Sequence, residues 1–471
     1  MDPAGTGVLS GYCPPAGVFD EAVDAGGRVR DHYRELLGSL ADPGELAAET
    51  GGRLRARRVT FGAAPGGIFA LDPVPRLLRP DEWAQLEAGI SQRLRALDSF
   101  VGDVYGDGEV FDAGVVPRGV VEGSPHFEPA MRGARPGRWV AFAGLDLARG
   151  PDGRFRVIED QVRMPSGLAY AVAARETLRE LLPVESPPAD LSTAFGELAL
   201  ALRDAAPEGV DEPSVVLLCE GPEADGWWEH DRLARELCAP AVTLADLEHR
   251  GGRLVAWIDG RPRGVDVVYQ RTDEDRFTHP DGTPTALGQA LLGPCSESRL
   301  ACVNAPGSGV ADDKLVHAYV DDLVRFYVDE EPLLSSVPGY DLGDEDARSQ
   351  ALGRLDELVV KPRGEMGGED VVLWRYASED ERRRARRAIE REPQGMVAQE
   401  LVTLSTHPTV CDGRLEPRHV DLRPYALLDR SGARVLPGGL SRVALERGSL
   451  VVNSGRGGGA KDTWVPETRR A

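Results

Sequence analysis

Residues 359–368 read VVKPRGEMGG, and within them a short apolar run ends in Lys361 and passes directly into a glycine-rich loop. Glycines let backbone N–H groups close around phosphate oxygens, and a lysine beside them acts on phosphate as a point charge. Because the lysine precedes the glycines and no Gly-Lys-Ser/Thr follows, the loop is not a P-loop. We expect a nucleotide-phosphate cradle of another kind, in which Glu365 holds Mg²⁺ against the phosphates; an ordinary hairpin loop is the alternative.

Lysine is rare in this chain, and its positions support that expectation. The sequence contains only Lys314, Lys361 and Lys461, so nearly all of its 55 basic residues are arginines. Each lysine lies beside a glycine-rich turn, and Lys314 follows NAPGSG at 304–309, at the start of a predicted helix. A codon-biased genome with lysines left at random places is the alternative. The shared setting indicates positions that need a compact ammonium in place of a planar guanidinium.

A second group of candidate residues lies on a predicted β-hairpin. Residues 138–149 (RWVAFAGLDLAR) and 154–163 (RFRVIEDQVR) read as strands joined by a turn of glycine, proline and aspartate. Side chains alternate along a strand, so Glu159 and Gln161 share one face and Asp160 lies on the other. A carboxylate beside an amide oxygen suits Mg²⁺, which takes oxygen ligands. A salt-bridged polar face without metal is the alternative.

Arginines form the third group of candidates. Arg423 ends HVDLR, Arg442 ends GGLSR, and Arg271 follows an apolar run in VVYQR. A guanidinium binds a carboxylate with two parallel hydrogen bonds and steadies the charge on a transferring phosphoryl group. For any single arginine in so arginine-rich a chain, a surface position is the alternative.

Composition narrows the classes of partner. The formal net charge is −22, which disfavours binding to nucleic acid and to anionic membranes. No apolar run is long enough to span a membrane, and the first residues lack the pattern of a signal peptide, so we expect a cytoplasmic protein. Six scattered cysteines without a Cys-x-x-Cys pair indicate free thiols and argue against zinc.

The chain divides into four predicted segments of an α/β protein with open sheets. Residues 1–120 read as a mainly helical scaffold, and residues 121–200 carry the strand with Glu159 and Gln161. Residues 201–310 read as an open α/β unit with a parallel sheet, because buried apolar runs alternate there with helices. Residues 311–471 hold the nucleotide-binding region.

Within these segments the periodicity predicts particular elements. Helices are expected at 20–40, 81–104 and 312–327, and short strands at 58–63 and 66–74.

Several longer motifs carry a resemblance to a known family. They are IEDQVRMPSG (158–167), VNAPGSGVADDKLVHAYV (303–320), VVKPRGEMGG (359–368), HVDLRPYAL (419–427) and GGLSRVALERGSLVVNS (438–454). With them the chain resembles, nearly end to end, the circularly permuted ATP-grasp family, which is related to glutathionylspermidine synthetase and eukaryotic glutathione synthetase. The resemblance implies an ATP-grasp fold in circularly permuted order.

The resemblance also implies roles for individual residues. Contacts with ATP are implied for Lys314, Lys361, Gly364, Gly367, Gly368, the adenine-binding strand Gln399, Glu400, Leu401 and Val402, and Lys461. Metal ligation is implied for Glu159, Gln161 and Glu365, and contact with the acyl substrate for Ser166, Arg271 and Arg442. As catalytic residues we expect Arg271, Arg423 and Arg442, which would orient the carboxylate and stabilise developing negative charge.

Two stretches depart from the family pattern. The family usually reads Glu-Asp-Asn where this chain has Glu159-Asp160-Gln161, which moves the amide oxygen one methylene outward. Because Mg²⁺ demands near-octahedral geometry, we expect an altered metal geometry or affinity. The segment GPEADGWW at 221–228 also departs from the usual form, which indicates a different substrate.

These observations predict an ATP-dependent carboxylate–amine ligase that uses Mg²⁺, with Mn²⁺ as a substitute. The predicted substrates are a small-molecule or peptide carboxylate and an amine, joined through an acyl-phosphate. A phosphotransferase or nucleotide-regulated binding module on the same fold, and a degenerate scaffold, are the alternatives. The acidic charge favours a cationic amine, and the oligomeric state stays open.

Overall fold

The computed structural model describes residues 7–62, 67–272, 276–364, 371–450, 452 and 458–467. Their α-helices are α1 (Arg34–Ser39), α2 (Pro43–Ala56), α3 (Pro80–Tyr105), α4 (Glu109–Asp112), α5 (Arg118–Glu122), α6 (Leu168–Leu181), α7 (Ala194–Asp204), α8 (Trp227–Glu236), α9 (Ala286–Ser296), α10 (Val320–Val328), α11 (Glu345–Gly353) and α12 (Glu379–Arg391). Their strands are β1 (Arg76–Leu77), β2 (Phe142–Arg149), β3 (Phe155–Gln161), β4 (Val215–Leu218), β5 (Ala241–Val242), β6 (Leu247–Arg250), β7 (Arg253–Ile258), β8 (Arg261–Gly264), β9 (Val267–Gln270), β10 (Ala301–Val303), β11 (Gly339–Asp341), β12 (Leu358–Pro362), β13 (Val372–Leu373), β14 (Met396–Glu400), β15 (Thr406–Cys411), β16 (Arg414–His419), β17 (Tyr425–Asp429), β18 (Gly432–Val435), β19 (Gly439–Val443) and β20 (Gly459–Trp464).

The longest helix, α3, is the predicted helix at 81–104. Pro80 occupies its first turn together with two acidic residues, which suits the positive end of the helix dipole. Ile90, Leu94, Leu97 and Val101 recur at helical spacing and are fully buried. This apolar face covers β17 and β18, so α3 supports the back of the sheet that carries β3.

The predicted hairpin of β2 and β3 is confirmed, and it lies in an antiparallel sheet of order β18-β17-β2-β3. Asp146 lies opposite Glu159, and Gly144 lies opposite Gln161. Beyond Asp146 the register shifts, which marks a bulge at Ile158. The sheet pairs β2 with β17 and therefore joins strands from two of the predicted segments.

Two further four-stranded sheets flank this one. The sheet β10-β9-β4-β5 is parallel throughout, which confirms the parallel sheet expected between residues 201 and 310. The sheet β11-β14-β12-β13 is antiparallel, and with α11 and α12 it encloses a small separate core around Leu358 and Val360. Smaller units are the hairpin β15-β16 and the sheets β6-β7-β8 and β1-β20-β19.

In three stretches of the chain the predicted elements were wrong. Most of the helix expected at 20–40 is irregular, because the Asp20 and Asp24 carboxylates accept nearby backbone N–H bonds and Gly27 adopts φ +79°. Among the described residues of the ranges 58–63 and 66–74, the two expected strands reduce to isolated bridges, one between Thr60 and Ile68 and one between Leu71 and Ala460.

The third is the helix expected at 312–327, whose α-helical part begins only at Val320. The Asp313 side chain accepts the backbone N–H of Leu315, and this local bond competes with a helical one. The Asp312 side chain instead accepts backbone N–H groups just after β3, which ties the segment to that strand. Lys314 therefore lies in an irregular segment before α10.

Within the described part of the chain, no helix is long and apolar enough to cross a membrane.

Candidate active site

Strands β2 and β3 place acidic and amide side chains on one face of the hairpin. Glu159 and Asp146 are cross-strand neighbours, and Gln161 lies two residues beyond Glu159 on the same face. The Gln161 amide donates from Nε2 to Asp146 Oδ2 at 3.3 Å. This bond turns the amide nitrogen toward Asp146 and leaves the carbonyl oxygen Oε1 for another partner.

Two of the three lysines converge on this face. Lys314 Nζ lies 3.3 Å from Glu159 Oε1, and Lys361 Nζ donates to Gln399 Oε1 at 2.6 Å. Both lysines line one cleft with Glu159 and Gln399, and the open space in this cleft measures about 300 Å³. The arrangement therefore brings together residues from β3, β12, β14 and the segment before α10.

The charges in the cleft shift one another's pKa values. Burial raises the pKa of the Glu159 carboxyl, but Lys314, Lys361, Arg442 and Arg423 outweigh burial and lower the pKa overall. Burial also lowers the pKa of Lys361 to about 8, with Glu159 opposing and Lys314 adding to the effect. Glu159 is thus ionised at neutral pH. The positive charges of the two lysines favour the binding of a further anion in the cleft.

Two predicted arginines meet at Asp146. Arg423 donates to both oxygens of Asp146 at 2.7 and 2.9 Å, and Arg442 donates to Oδ2 at 2.8 Å. Arg442 Nε also donates to Asp421 Oδ2 at 2.8 Å. Both side chains are mostly buried, so these ion pairs hold the guanidinium groups in fixed positions beside Glu159.

Arg271 lies just after β9 and binds the turn that follows β3. It donates to the carbonyl oxygens of Met164 and Pro165 at 3.2 and 2.5 Å, and to Glu229 Oε2 at 3.2 Å. Glu229 in turn accepts from the backbone N–H groups of Gly167 and Ala169, at the beginning of α6. Arg271 therefore fixes the loop on which Ser166 is presented.

Ser166 itself connects this loop to the arginine pair. The residue is exposed, and its carbonyl oxygen accepts from the Tyr425 hydroxyl at 3.1 Å and lies 3.5 Å from Arg423. Ser166 is thus held beside the arginine pair through its backbone.

The predicted adenine-binding residues occupy β14 and the positions just after it. Gln399 faces the cleft, where its Nε2 also donates to the carbonyl of Ile158 at 3.1 Å. Glu400 faces the other way and accepts from Tyr340 and Arg354. Leu401 and Val402 follow the strand and are half-buried.

The glycine-rich loop begins at the edge of the described chain. Arg363 donates to both oxygens of Asp313 at 2.8 Å, which ties the start of the loop to the segment of Lys314. A side chain at Gly364 would meet Pro125 at 2.6 Å, so only glycine fits there. Glu365, Gly367 and Gly368 lie outside the described residues.

Lys461 lies on β20, away from the other two lysines, and its side chain is in the interior beside β15. Its side chain is fully buried, and Nζ donates to Asp72, to the carbonyl of Val74 at 3.3 Å and to the carbonyl of Pro408 at 3.0 Å. These partners satisfy all three ammonium protons.

Sequence reasoning also missed a buried network behind β3. Asp160 accepts from Arg93 Nε and Nη2, the latter at 2.8 Å, and its Oδ2 lies 2.7 Å from His317 Nδ1. His317 follows Lys314 by three residues, so Asp160 fastens the lysine segment to the back of the strand whose front carries Glu159. Asp146, Asp421 and Glu229 were missed as well. For Asp146 and Asp421 the available signal was a charged residue within an apolar strand pattern, whereas Glu229 lies in helix α8, where a charged residue gives no such signal.

The donor set fits Mg²⁺ and a nucleotide phosphate chain. Mg²⁺ is usually held by one or two carboxylates together with substrate phosphates. The face of β3 offers the Glu159 carboxylate and the Gln161 amide oxygen, and Lys314 and Lys361 stand beside them. In the parts of the chain that are described, no three His, Cys, Asp or Glu side chains form a metal cage by themselves.

Relatives of this chain occur in several bacteria. A protein of Frankia alni named "Putative glutamate--cysteine ligase 2-3" is 41% identical over 96% of this chain and 54% of its own length. An uncharacterized protein of Mycobacterium tuberculosis is 39% identical over 95% of this chain and 84% of its own length. The chain thus spans about half the length of the Frankia relative, whose name describes the longer protein.

A solved structure and a family model agree on the fold. A glutathione synthetase-like effector (GSS30) from Globodera pallida, in its apo form, superposes with a TM-score of 0.57 at 12% identity, covering 90% of this chain and 98% of the effector. At this identity the likeness concerns the fold. A family model described as circularly permuted ATP-grasp type 2 matches residues 75–444. The predicted fold is therefore confirmed, and the chain belongs to the circularly permuted ATP-grasp type 2 family.

Proposed function

We propose that this chain is an ATP- and Mg²⁺-dependent ligase that joins a carboxylate to an amine through an acyl-phosphate. The observation that carries the proposal is the convergence of Lys314, Lys361, Glu159 and Gln399 on one cleft, with Arg423 and Arg442 fixed at its side. Lysines for phosphate, oxygen ligands for a metal and paired arginines for a carboxylate together supply what acyl phosphorylation needs.

In the first step the substrate carboxylate attacks the γ-phosphorus of ATP, and the bond between the γ-phosphorus and the β,γ-bridging oxygen breaks to release ADP. Lys314 and Lys361 would neutralise charge on the phosphoryl oxygens, and Gln399 would orient Lys361 through the bond between them. Glu159, Gln161 and Glu365 would hold Mg²⁺, which supplies charge neutralisation for the phosphates when bound.

In the second step the amine attacks the acyl carbon and expels inorganic phosphate. Arg423 and Arg442 would orient the acyl group and stabilise the oxyanion, while Arg271 would act by holding the loop that carries Ser166. No side chain needs to form a covalent bond with the substrate. Gln399 to Val402 would line the adenine site, and Lys461 takes no part.

The test is release of ADP and phosphate from Mg-ATP across a panel of amino acids, short peptides and polyamines. Turnover that requires both a carboxylate and an amine, and that is lost in Lys361→Ala, supports the ligase. Release of ADP without an amine would instead indicate a phosphotransferase or ATPase. Absence of nucleotide binding with both Mg²⁺ and Mn²⁺ would overturn the proposal.

The matched control is Arg391→Ala, at the end of α12. This arginine lies on an exposed helix away from the cleft and should leave turnover unchanged.

A further inference from the structure

Each of the two cleft lysines lies close in sequence to one member of a buried ion pair. Asp313 immediately precedes Lys314, and Arg363 follows Lys361 by two residues. Arg363 Nε donates to both carboxylate oxygens of Asp313 at 2.8 Å. Arg363 is 7% exposed and Asp313 is 1% exposed, and neither is among the described residues that line the cleft. The proposed ligase reaction uses neither of these two side chains.

This ion pair joins two parts of the protein that have separate hydrophobic cores. Lys361 lies on β12, in the sheet β11-β14-β12-β13, which packs on a small core of its own. Lys314 precedes Leu315 and Val316, which pack in the larger core that includes α3. Because each lysine is anchored to a different core, the links between the two parts decide how far apart the ammonium groups lie.

Arg363 makes such links at two points. Besides Asp313, its guanidinium donates through Nη2 to the carbonyl of Val120 in α5. The backbone N–H of Arg363 donates to the carbonyl of Gly395 at 2.8 Å, next to the last pair of the β12–β14 ladder. Asp313 is held as well, because its Oδ1 accepts from the backbone N–H of Leu315 at 2.9 Å. Both members of the ion pair therefore have fixed positions.

The two lysine ammonium groups repel each other across the cleft they share. Both line the same open space of about 300 Å³, where like charges at short range raise the free energy. Glu159 Oε1 lies 3.3 Å from Lys314 Nζ, whereas Lys361 Nζ donates to the uncharged amide of Gln399. An ion pair between the two segments that carry the lysines opposes their separation.

We propose that Arg363 and Asp313 are positioning residues, which set the spacing of Lys314 and Lys361 to fit the phosphate chain of a nucleoside triphosphate. The inference rests on the proposed binding of ATP and adds a requirement to it. The ion pair should contribute to recognition of the β- and γ-phosphates. It should contribute little to recognition of the adenosine part, which Gln399 to Val402 would line.

The test is a calorimetric comparison of the Kd for Mg-ATP with the Kd for AMP, which lacks the β- and γ-phosphates. The variant is Arg363→Met/Asp313→Asn, because removal of Arg363 alone would leave a buried carboxylate without its cation. We expect the Kd for Mg-ATP to rise about tenfold, as when an outer partner that orients a metal ligand is lost. The Kd for AMP should stay within about twofold of wild type, since AMP does not reach both lysines.

The matched control is Arg175→Met/Asp462→Asn. It removes another buried ion pair, with Nε and Oδ2 2.7 Å apart, whose members are not among the described residues that line the cleft. Both Kd values should be unchanged in this control. Urea denaturation of the two double variants reports how much stability each pair contributes.

A loss of affinity for Mg-ATP without a loss for AMP, absent from the control, supports the inference. An unchanged Kd for Mg-ATP, equal weakening of ATP and AMP, or the same loss in the control overturns it and leaves the pair a purely structural role. These three results leave the proposed function standing, whereas failure of the wild-type chain to bind ATP overturns both.

Asp313→Asn alone decides the question if the double variant does not fold. It keeps an acceptor oxygen for Arg363 and Leu315 but removes the charge, and charged hydrogen bonds are about twice as strong as neutral ones. We expect the Kd for Mg-ATP to rise about threefold in this variant with the Kd for AMP unchanged. An unchanged ratio of the two Kd values overturns the inference.

Discussion

Asp146 and Glu159 face each other directly across β2 and β3, yet each carboxylate has cationic partners of its own. Asp146 is paired with Arg423 and Arg442, whereas Glu159 is paired with Lys314. Like charges opposite each other destabilise a strand pair. Here the cations on either side offset that repulsion. The carboxylates of β2 and β3 and the basic residues of the cleft therefore stabilise one another.

Asp146→Asn should therefore destabilise the protein, because it leaves two buried guanidinium groups with too little negative charge. We expect the free energy of unfolding to fall by about 3 kcal/mol, as for other broken buried ion pairs. Urea denaturation measures the change. Asp152→Asn is the control, since its exposed pair with Arg156 should contribute less than about 1 kcal/mol. Equal effects of the two substitutions would contradict this account of Asp146.

The affinity for ATP should depend on pH through Lys361. Burial lowers the pKa of this lysine to about 8. Below that pH the ammonium is already present; above it, ATP must bind with uptake of a proton. We expect the Kd for Mg-ATP, measured by calorimetry, to rise toward tenfold per pH unit between about pH 8 and pH 10.

Lys361→Arg keeps its charge across this range and is the control for that profile. The Kd of this variant for Mg-ATP should change little with pH, even if its affinity is lower at every pH. The same slope in both proteins would place the titrating group elsewhere.

Gln161→Leu should weaken binding of the metal ion, because it removes the amide oxygen that faces away from Asp146. We expect a loss of about tenfold in Mn²⁺ affinity, measured by electron paramagnetic resonance in the presence of ADP. Gln161→Asn keeps an amide oxygen and should retain most of the affinity. Unchanged binding in Gln161→Leu would exclude this side chain as a ligand.

Lys461→Met should alter stability without altering nucleotide binding. The substitution leaves Asp72 buried without its cation, which we expect to cost about 3 kcal/mol in urea denaturation. Removing both charges in Lys461→Met/Asp72→Leu should restore part of this loss. The Kd for ATP should stay within about twofold of wild type in whichever variant folds, since Nζ is already satisfied; a larger change would return Lys461 to the nucleotide site.

The local parts of the fold were predictable from sequence, because their determinants are close together in the chain. The alternation along 154–163 and the turn before it predicted the hairpin β2-β3 and the shared face of Glu159 and Gln161. The acidic start and apolar spacing of 81–104 predicted α3. The irregular stretch at 20–30 was missed because Asp20 and Asp24 bond to the backbone, a competition that residue periodicity does not reveal.

Partners distant in sequence were not predictable. Nothing near Arg442 indicates that Asp146 neutralises it, and nothing near Lys461 points to Asp72. A glycine run lies beside both Lys361 and Lys461, so the same local pattern accompanies a lysine on the cleft and a lysine in the interior. Their partners, which come from distant parts of the chain, distinguish the two: Lys361 bonds to Gln399 at the cleft, whereas Lys461 bonds to Asp72.

The parallel pairing of Arg76 with Thr463, across β1 and β20, bears on how the protein is made. A ribosome releases residue 76 long before residue 463. Strand β1 therefore has no partner strand to pair with until residues 459–464 have been synthesised. Contacts of such wide separation slow folding and expose apolar surface meanwhile. Helix α3 and the parallel sheet can form before the sheet that holds Lys461 closes, so folding of this protein should be sensitive to translation speed and to chaperone supply.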